Sequence, residues 1–547
     1  MREAKRRSGA GGVTGVIGAV ALAAFVGVGA GPAPARAFCG FMVGGGEAQL
    51  TNQGSMVVLM RDGTRTVIAM QNDYQGPPED FALVVPVPEV LEEGQVKTLP
   101  REVFARVDQL AAPRLVEYWE QDPCPQPALY EPEREELLRA QPTSVQEGAD
   151  DDWEEPEDLG VTVEAEFEVG EYDIVILGAE DSAGLDTWLR RSGYRIPDGA
   201  ERVLRAYVEQ SMKFFVAKVS AERVTWETGA DGREKAVLSP LRFHYDSESF
   251  FLPVRLGLLN ADGDQDVIVH VLARQLRYEV ANYDNYAVPT NLRVSDEVRE
   301  SFPAFYEALY ARMLEAHPRA VLTEYAWSAG SCDPCPGPTL TADELVTLGA
   351  DVIPSYERAV RRGRVQTGFE RDFVLTRLHF RTPAGRAPEA VEDLFFRPAP
   401  AIEGGRGQPG TDGTMSRGVR AYAVNNFQAR YAVLHEWEGP IECEEPMRGR
   451  WGGPPSTQRG SSGPMAAAGL AFASSAGSES LEAYLTQDVP ELGRASDTLP
   501  SGPTEAPPPP PPPPGSGCAR CAAGGGGAVP SLLGLVALAL LLRRRRA

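Results

Sequence analysis

Cys332-Asp-Pro-Cys335 is the one compact arrangement in this chain whose residue types and spacing suit covalent chemistry. Two thiols so placed form a disulfide that exchanges with substrate thiols when the first of them opens a helix, whose N-terminus favours the thiolate. Here Pro334 and Pro336 precede Leu340, and no strand–helix–strand pattern surrounds the pair. A structural disulfide therefore leads, with thiol–disulfide exchange as the alternative. Zinc would need two more ligands, and the rest of the region offers neither a second such pair nor spaced histidines, so no metal site is assigned. Cys39, Cys124 and Cys443 complete the set outside the C-terminal tail, while Cys518 and Cys521 lie in it. Five thiols allow at most two disulfides, with one left over.

Other catalytic constellations are missing from the sequence. Among His244, His270, His317, His379 and His435 there is no HExxH, and His435-Glu436 lacks its second histidine. His270 and His379 sit in apolar strand-like runs and read as hydrogen-bonded core residues. No Gly-x-Ser-x-Gly elbow occurs. Asp262, Asp264 and Asp266 alternate like the start of a calcium loop, but Val267 and Ile268 follow at once, so the segment reads as a turn. No catalytic residue and no cofactor is assigned, and the chain reads as a non-enzyme.

Charge narrows the partners. The formal net charge is -24, and since both ends of the chain are basic, the region between them is more acidic still. Such a surface is repelled by nucleic acid and by anionic headgroups, which excludes nucleic acid as a partner. Residues 131–159 concentrate acids among few apolar residues and read as a solvated loop.

The two ends carry the clearest instructions. Arg2, Lys5, Arg6 and Arg7 precede the apolar stretch Val13 to Val28 and the small-x-small site Ala35-Arg-Ala37, which predicts a signal peptide cut after Ala37. At the other end, an apolar segment from Ala528 to Leu542 stops at Arg543 to Arg546, the pattern of a membrane segment with a cytoplasmic anchor. At a rise of about 1.5 Å per residue it covers only roughly 22 Å, so the preceding glycines help it span, or it is a sorting signal later removed. Upstream, Pro507 to Pro514 form a stiff spacer of roughly 25 Å.

The region between must position whatever chemistry exists. Met56 to Met70 reads as a hairpin around Asp62-Gly63, and Asp80 to Pro88 as a buried strand with prolines at its end. Leu99 to Trp119 has helical spacing broken by Pro113, with Val103, Val107 and Leu110 before the break and Leu115 and Trp119 after it. A strand at Tyr172 to Leu177 precedes two short helices, around 185–192 and 199–212. Runs at 213–219, 224–227, 236–245, 249–259, 266–273 and 277–283 then read as a meander. A helix spans 295–316, with Phe305, Leu309 and Met313 as its core stripe, and strands return at 373–380, 394–400 and 431–435. Segments 78–88, 246–255 and 391–400 each join an acidic turn to an apolar strand ending in proline, an echo that suggests repeated β units. The fold class is α+β: mainly antiparallel meanders and hairpins with several packed helices. The predicted organisation is a signal peptide at 1–37, a globular region at 38–445, a Gly/Ser/Pro-rich linker at 446–517 and a sorting or membrane tail at 518–547.

Phe38-Cys-Gly-Phe41, Val58 to Thr66, Gln75-Gly-Pro-Pro-Glu-Asp-Phe81, Val84-Val-Pro-Val-Pro88 and Gln121-Asp-Pro-Cys-Pro125 together resemble the bacterial domain of unknown function 2330 family. Thr323-Glu-Tyr-Ala-Trp327 and the Cys332/Cys335 motif extend the likeness, over roughly residues 38–445. The resemblance brings no activity and no site residues. The tail resembles the myxobacterial MYXO-CTERM sorting signal, which implies processing at Cys518 or Cys521, sorting machinery as a partner, and display at the cell surface. The reading is an exported envelope protein, a binding or structural module, with an extracytoplasmic redox protein as the alternative.

Overall fold

Strand residues alternate between two faces, so a strand whose neighbours are all apolar must be covered on both sides. Met56 to Met60 and Val67 to Met70 are such runs, and the computed structural model shows what covers them. It describes residues 41–43, 51–75, 82–124, 159–194, 196–228, 234–260, 263–361, 368–454, 464–466 and 481–486. Ala37, Cys39, Cys518, Cys521, residues 131–158 and the apolar tail lie outside the described residues. Among those described, no helix is long and apolar enough to cross a membrane.

An 11-stranded mixed sheet forms the centre. From one edge it runs Arg420–Ala421, Ile402–Gly404, Asn426–Gln428, Val321–Ser328, Phe373–Thr382, Gln265–Arg274, Thr51–Asp62, Arg65–Gln75, Leu241–Asp246 and Val96–Thr98, with Asn285–Ala287 beside Val321–Ser328. Pairing is mainly antiparallel; Gln265–Arg274 against Thr51–Asp62 is one parallel exception. One face packs on a five-stranded antiparallel sheet made of Phe41–Val43, Ala82–Val87, Lys213–Val219, Tyr172–Ala179 and Val161–Val169. Val57, Leu59, Ile68 and Met70 meet Leu83, Val85, Ile174 and Phe215 there. The alternate residues Ala82, Val84 and Phe214 face the helices Ser182–Arg191 and Ala200–Val208 on the outside of that sheet. Met56, Val58, Met60 and Val67 instead face the helices Glu102–Ala111 and Ala342–Leu348. Period-two alternation thus produces four layers: helices, small sheet, large sheet, helices.

The hairpin around Asp62-Gly63 forms as predicted, with Asp62 opposite Arg65. The helix predicted at 295–316 is Val298–Ala316, with Pro303 tolerated near its start. Four expectations change. The helical spacing of 99–119 holds only for Glu102–Ala111; after Pro113 the chain becomes the strand Arg114–Glu120, pairing parallel with Arg430–His435. Leu115 and Trp119 mimic helical spacing, but long-range pairing decides their conformation. The predicted meander is instead dealt out among separate sheets: Lys213–Val219 joins the small sheet, Leu241–Asp246 and Gln265–Arg274 the large one, and Thr225–Thr228 pairs with Glu234–Val237. Of the three echoing segments, Phe251–Leu252 and Leu394–Ala399 pair with each other, while Ala82–Val87 sits in a different sheet. Finally, parts of 446–517 join the fold. Trp451–Gly452 and Met465–Ala466 pair with Arg114–Glu120, and Leu481 and Tyr484 are buried against the 298–316 helix, since even a Gly/Ser-rich stretch docks where it carries large apolar side chains.

Candidate functional site

The cysteines come first because their spacing suggested chemistry. Arg114–Glu120 and Arg430–His435 run in the same direction side by side, so the segments leaving them emerge at the same end. Cys124 and Cys443 meet there as a disulfide, Cα atoms 5.6 Å apart across 319 residues of sequence. Cys332 and Cys335 are bonded to each other, with Cα atoms 5.0 Å apart, in the loop after the strand Val321–Ser328. Cys335 is exposed and Cys332 half-buried. The next helix begins only at Ala342 and is capped by Thr341, so no helix N-terminus stabilises a Cys332 thiolate.

A chain of buried charges, not singled out from the sequence, occupies the helix-facing side of the large sheet. Arg377 and His379 point the same way because they are two residues apart in one strand. The register of the neighbouring strand slips between Thr323 and Tyr325, and this bulge inserts Glu324 opposite them. Glu324 accepts from Arg377 Nε at 2.5 Å and from the Tyr306 hydroxyl at 2.6 Å, and it pairs with His379 Nδ1 at 2.8 Å. Arg377 also bonds Asp108 and lies 3.1 Å from His270 Nε2. Asp266 holds Arg381 through two 2.7 Å bonds, and Arg381 reaches on to Glu307.

Burial alone would raise the Glu324 carboxyl, but His379 and Arg377 outweigh it and bring it down to about 2. Burial pulls His379 down, yet Glu324 and Asp266 leave it above the ordinary histidine value. His270, buried beside the Arg377 guanidinium, falls to about 3 and stays neutral. Asp108, Glu324, Arg377, His270 and His379 are all buried, so a substrate does not reach them. The chain of charges acts as an ionic seam between the apolar cluster under Glu102–Ala111 and that under Val298–Ala316.

A concave feature lies at the edge of the large sheet. A cleft of about 740 Å³ is lined by Ala287 to Pro289, Glu403 to Gly407, Ser416 to Arg420 and Tyr422. Strand Ile402–Gly404 leaves the sheet, and the chain returns as Arg420–Ala421, with Glu403 opposite Arg420. Asn291 clips the two arms of this excursion together, its Nδ2 donating to the Ser416 carbonyl at 2.6 Å and the Arg406 carbonyl at 3.1 Å. The buried Arg430 donates to the Gly407 carbonyl at 2.7 Å, to Asn291 Oδ1 at 2.7 Å and to the Tyr118 hydroxyl at 3.0 Å. Gly405 lies so close to the next strand that a side chain there would strike the Gln428 carbonyl. Gln428 Nε2 donates at 2.6 Å both to the Gly405 carbonyl and to the Asp333 carbonyl. One amide therefore joins the cleft floor to the Cys332/Cys335 loop.

The charged side chains lining the cleft are mostly arginines. Arg406, Arg417 and Arg420 line it against a single carboxylate, Glu403. That carboxylate accepts from Arg420 Nε at 2.6 Å and lies 3.7 Å from Arg406, whose guanidinium also sits over the Trp327 ring. No sequence motif marked this cluster, because its residues come from two loop arms that only the fold brings together.

A family model described as an uncharacterized protein conserved in bacteria, domain of unknown function 2330, matches residues 33–397. No curated protein and no solved structure matches the chain. The likeness read from motifs extended to about 445, whereas the match ends at 397, so it takes in Cys124, Cys332 and Cys335 but stops short of the cleft loop and of Cys443.

Proposed function

Because the chain belongs to the DUF2330 family of bacterial proteins, we propose that it serves as an exported, non-enzymatic binding module held at the cell envelope. The observation that carries this reading is the Cys124–Cys443 bond, which ties the two central strands of one small sheet across 319 residues. Such bonds persist where the environment is oxidising and are rare in the cytosol. The basic N-terminus with its Ala35-Arg-Ala37 site and the apolar tail before Arg543 support the same location. Display would follow from processing at Cys518 or Cys521. A preformed cleft, together with buried charges that no substrate reaches, suits binding better than turnover. The test is peptide mapping of the native protein, cell fraction by cell fraction, under non-reducing conditions. A crosslinked Cys124/Cys443 peptide in an envelope-derived chain that starts at Phe38 is the expected result. A reduced chain with an intact N-terminus in the cytosol would overturn the reading.

Exposure of Cys335 favours a second reading, thiol–disulfide exchange. A substrate thiolate would attack Cys335 Sγ and release Cys332 as thiolate. A second substrate thiolate would then displace Cys335, so that two electrons pass from the substrate dithiol to the pair. Stoichiometric oxidation of dithiothreitol by the folded chain, lost in Cys335→Ser, supports this reading; a pair inert to mild reductant removes it.

A further inference from the structure

We propose that Arg114 is the positioning residue of the Cys332/Cys335 pair, holding its loop and supplying the positive charge that stabilises a Cys332 thiolate. This rests on the thiol–disulfide exchange reading and names the group that tunes its site. The pair has no helix N-terminus to favour a thiolate. A guanidinium stands there instead. Arg114 is fully buried, yet among the described residues no carboxylate pairs with it. Its bonds go to carbonyls, Nη1 donating to Pro334 at 2.8 Å and Nη2 to Leu110 at 2.6 Å, while Nε has no partner. The Tyr325 ring lies 5.4 Å from it, and burial pushes the Tyr325 hydroxyl up to about 12, so that group stays neutral. Burial also lowers Arg114 from the ordinary arginine value, and neighbouring Arg430 adds to this, but the guanidinium keeps its proton. Asp333, exposed between the cysteines, acts on Arg430. A buried cation held by neutral groups is costly, and a thiolate in the same loop would be its counter-ion.

The loop is built onto this charge. Pro334 lies between the two cysteines, so the bond to its carbonyl fixes Arg114 on the loop itself. Cys332 packs on the apolar cluster that contains Leu110 and Tyr325, the two residues flanking the guanidinium. Gln428 Nε2 donates to the Asp333 carbonyl at 2.6 Å, and Gln109 Nε2 to the Pro336 carbonyl at 3.3 Å. Three side chains from outside the loop thus hold its backbone once the sulfur bond opens. A partner dithiol supplies the electrons. One of its thiolates attacks exposed Cys335, and the Cys332–Cys335 bond breaks with its electron pair on Cys332. The partner's second thiolate then displaces Cys335, so the partner closes to a disulfide and two electrons enter the pair. A leaving thiolate of lower pKa departs faster, which is what the cation contributes.

The test is pulse alkylation of the reduced full chain with iodoacetamide over a pH series, with Cys332 read by peptide mass spectrometry. It is repeated for Arg114→Met and Arg114→Lys, with folding checked by circular dichroism. The expected midpoint for Cys332 in the parent chain lies at least about one pH unit below the ordinary thiol value of about 8.5. Arg114→Met should bring it back to that value or above, and Arg114→Lys should keep it low. A parent midpoint at or above the ordinary value overturns the proposal without any variant, so the test survives a variant that fails to fold. A low midpoint unmoved in folded Arg114→Met, or raised equally by Arg114→Lys, overturns the charge as its cause. The exchange reading is decided separately. A pair that dithiothreitol does not reduce removes that reading, and reduction by a phosphine then still reports whether Arg114 sets the thiolate. A pair that dithiothreitol reduces, with an ordinary Cys332 midpoint, leaves exchange standing and removes the role of Arg114.

Discussion

Replacing Arg377 with Met probes the ionic seam most directly. The substitution keeps much of the side-chain volume but removes the cation that Asp108 and Glu324 share at full burial. Glu324 would retain Tyr306 and His379, and Asp108, on the helix Glu102–Ala111, would lose its bond to the guanidinium. Breaking a buried ion pair from one side costs about 3–5 kcal/mol, a large share of the roughly 5–15 kcal/mol that separates folded from unfolded states. Glu324→Gln keeps a hydrogen-bonding group of the same shape and should cost less, about 1.5–3 kcal/mol. Because the two residues touch, the double variant should be less destabilised than the sum of the singles by about 1–3 kcal/mol. Urea titration followed by tryptophan fluorescence suits the question, as Trp327 lies buried in the same strand as Glu324. An Arg377→Met chain within about 1 kcal/mol of the parent, or a double variant that is simply additive, would refute the seam as a stabilising unit.

Further perturbations test separate parts of the structure. His379 has a raised folded-state value, so its contribution is complete below the unfolded histidine value and fades as pH rises through the folded one; His379→Asn should flatten the alkaline side of the stability profile. His270 is depressed to about 3, so the unfolded chain takes up its proton first and stability is lost as pH falls from the ordinary histidine range toward that value; His270→Asn should remove this acid-side loss in a melting series. Cys124→Ser opens a loop of 319 residues, for which chain entropy alone gives roughly 5–6 kcal/mol, and a drop of at least about 2 kcal/mol is expected in denaturation under oxidising conditions. Cys518→Ser combined with Cys521→Ser should leave an unprocessed, membrane-retained form on immunoblots of fractionated cells, and normal processing in that double variant would discard the sorting role.

What the sequence disclosed was local. Asp62-Gly63 between apolar runs announces its hairpin, and Lys213–Val219 reads to the residue because it is short, apolar and bounded by turns. The spacing of Phe305, Leu309 and Met313 marks a helix for the same reason. Long-range choices were hidden. Nothing near Leu115 says that Tyr431 will be its strand partner, so i,i+4 spacing misleads there. Arg377 sits within the apolar run 373–380, and its partners Asp108 and Glu324 are far away in sequence, so only assembly of the sheet exposes the seam. Cysteine spacing does not determine pairing, and four cysteines alone permit three connectivities. The cleft was least legible, since its arginines and glycines follow no motif and acquire meaning through Asn291, which clips the loop arms from outside them.

The Cys124–Cys443 bond also has a mechanical meaning. Tension applied upstream of Cys124 and downstream of Cys443 crosses between the two flanks through that covalent link, bypassing the polypeptide between them. The enclosed 319-residue span represents roughly 1,100 Å of extensible contour that a pulling force does not reach while the bond is intact. The charged seam and the Cys332/Cys335 loop lie wholly or almost wholly inside that span, as does the cleft. Were the chain tethered by its C-terminal segment, as proposed, reduction of this one bond would let the enclosed contour extend under load, with only the pairing of the sheets to resist it.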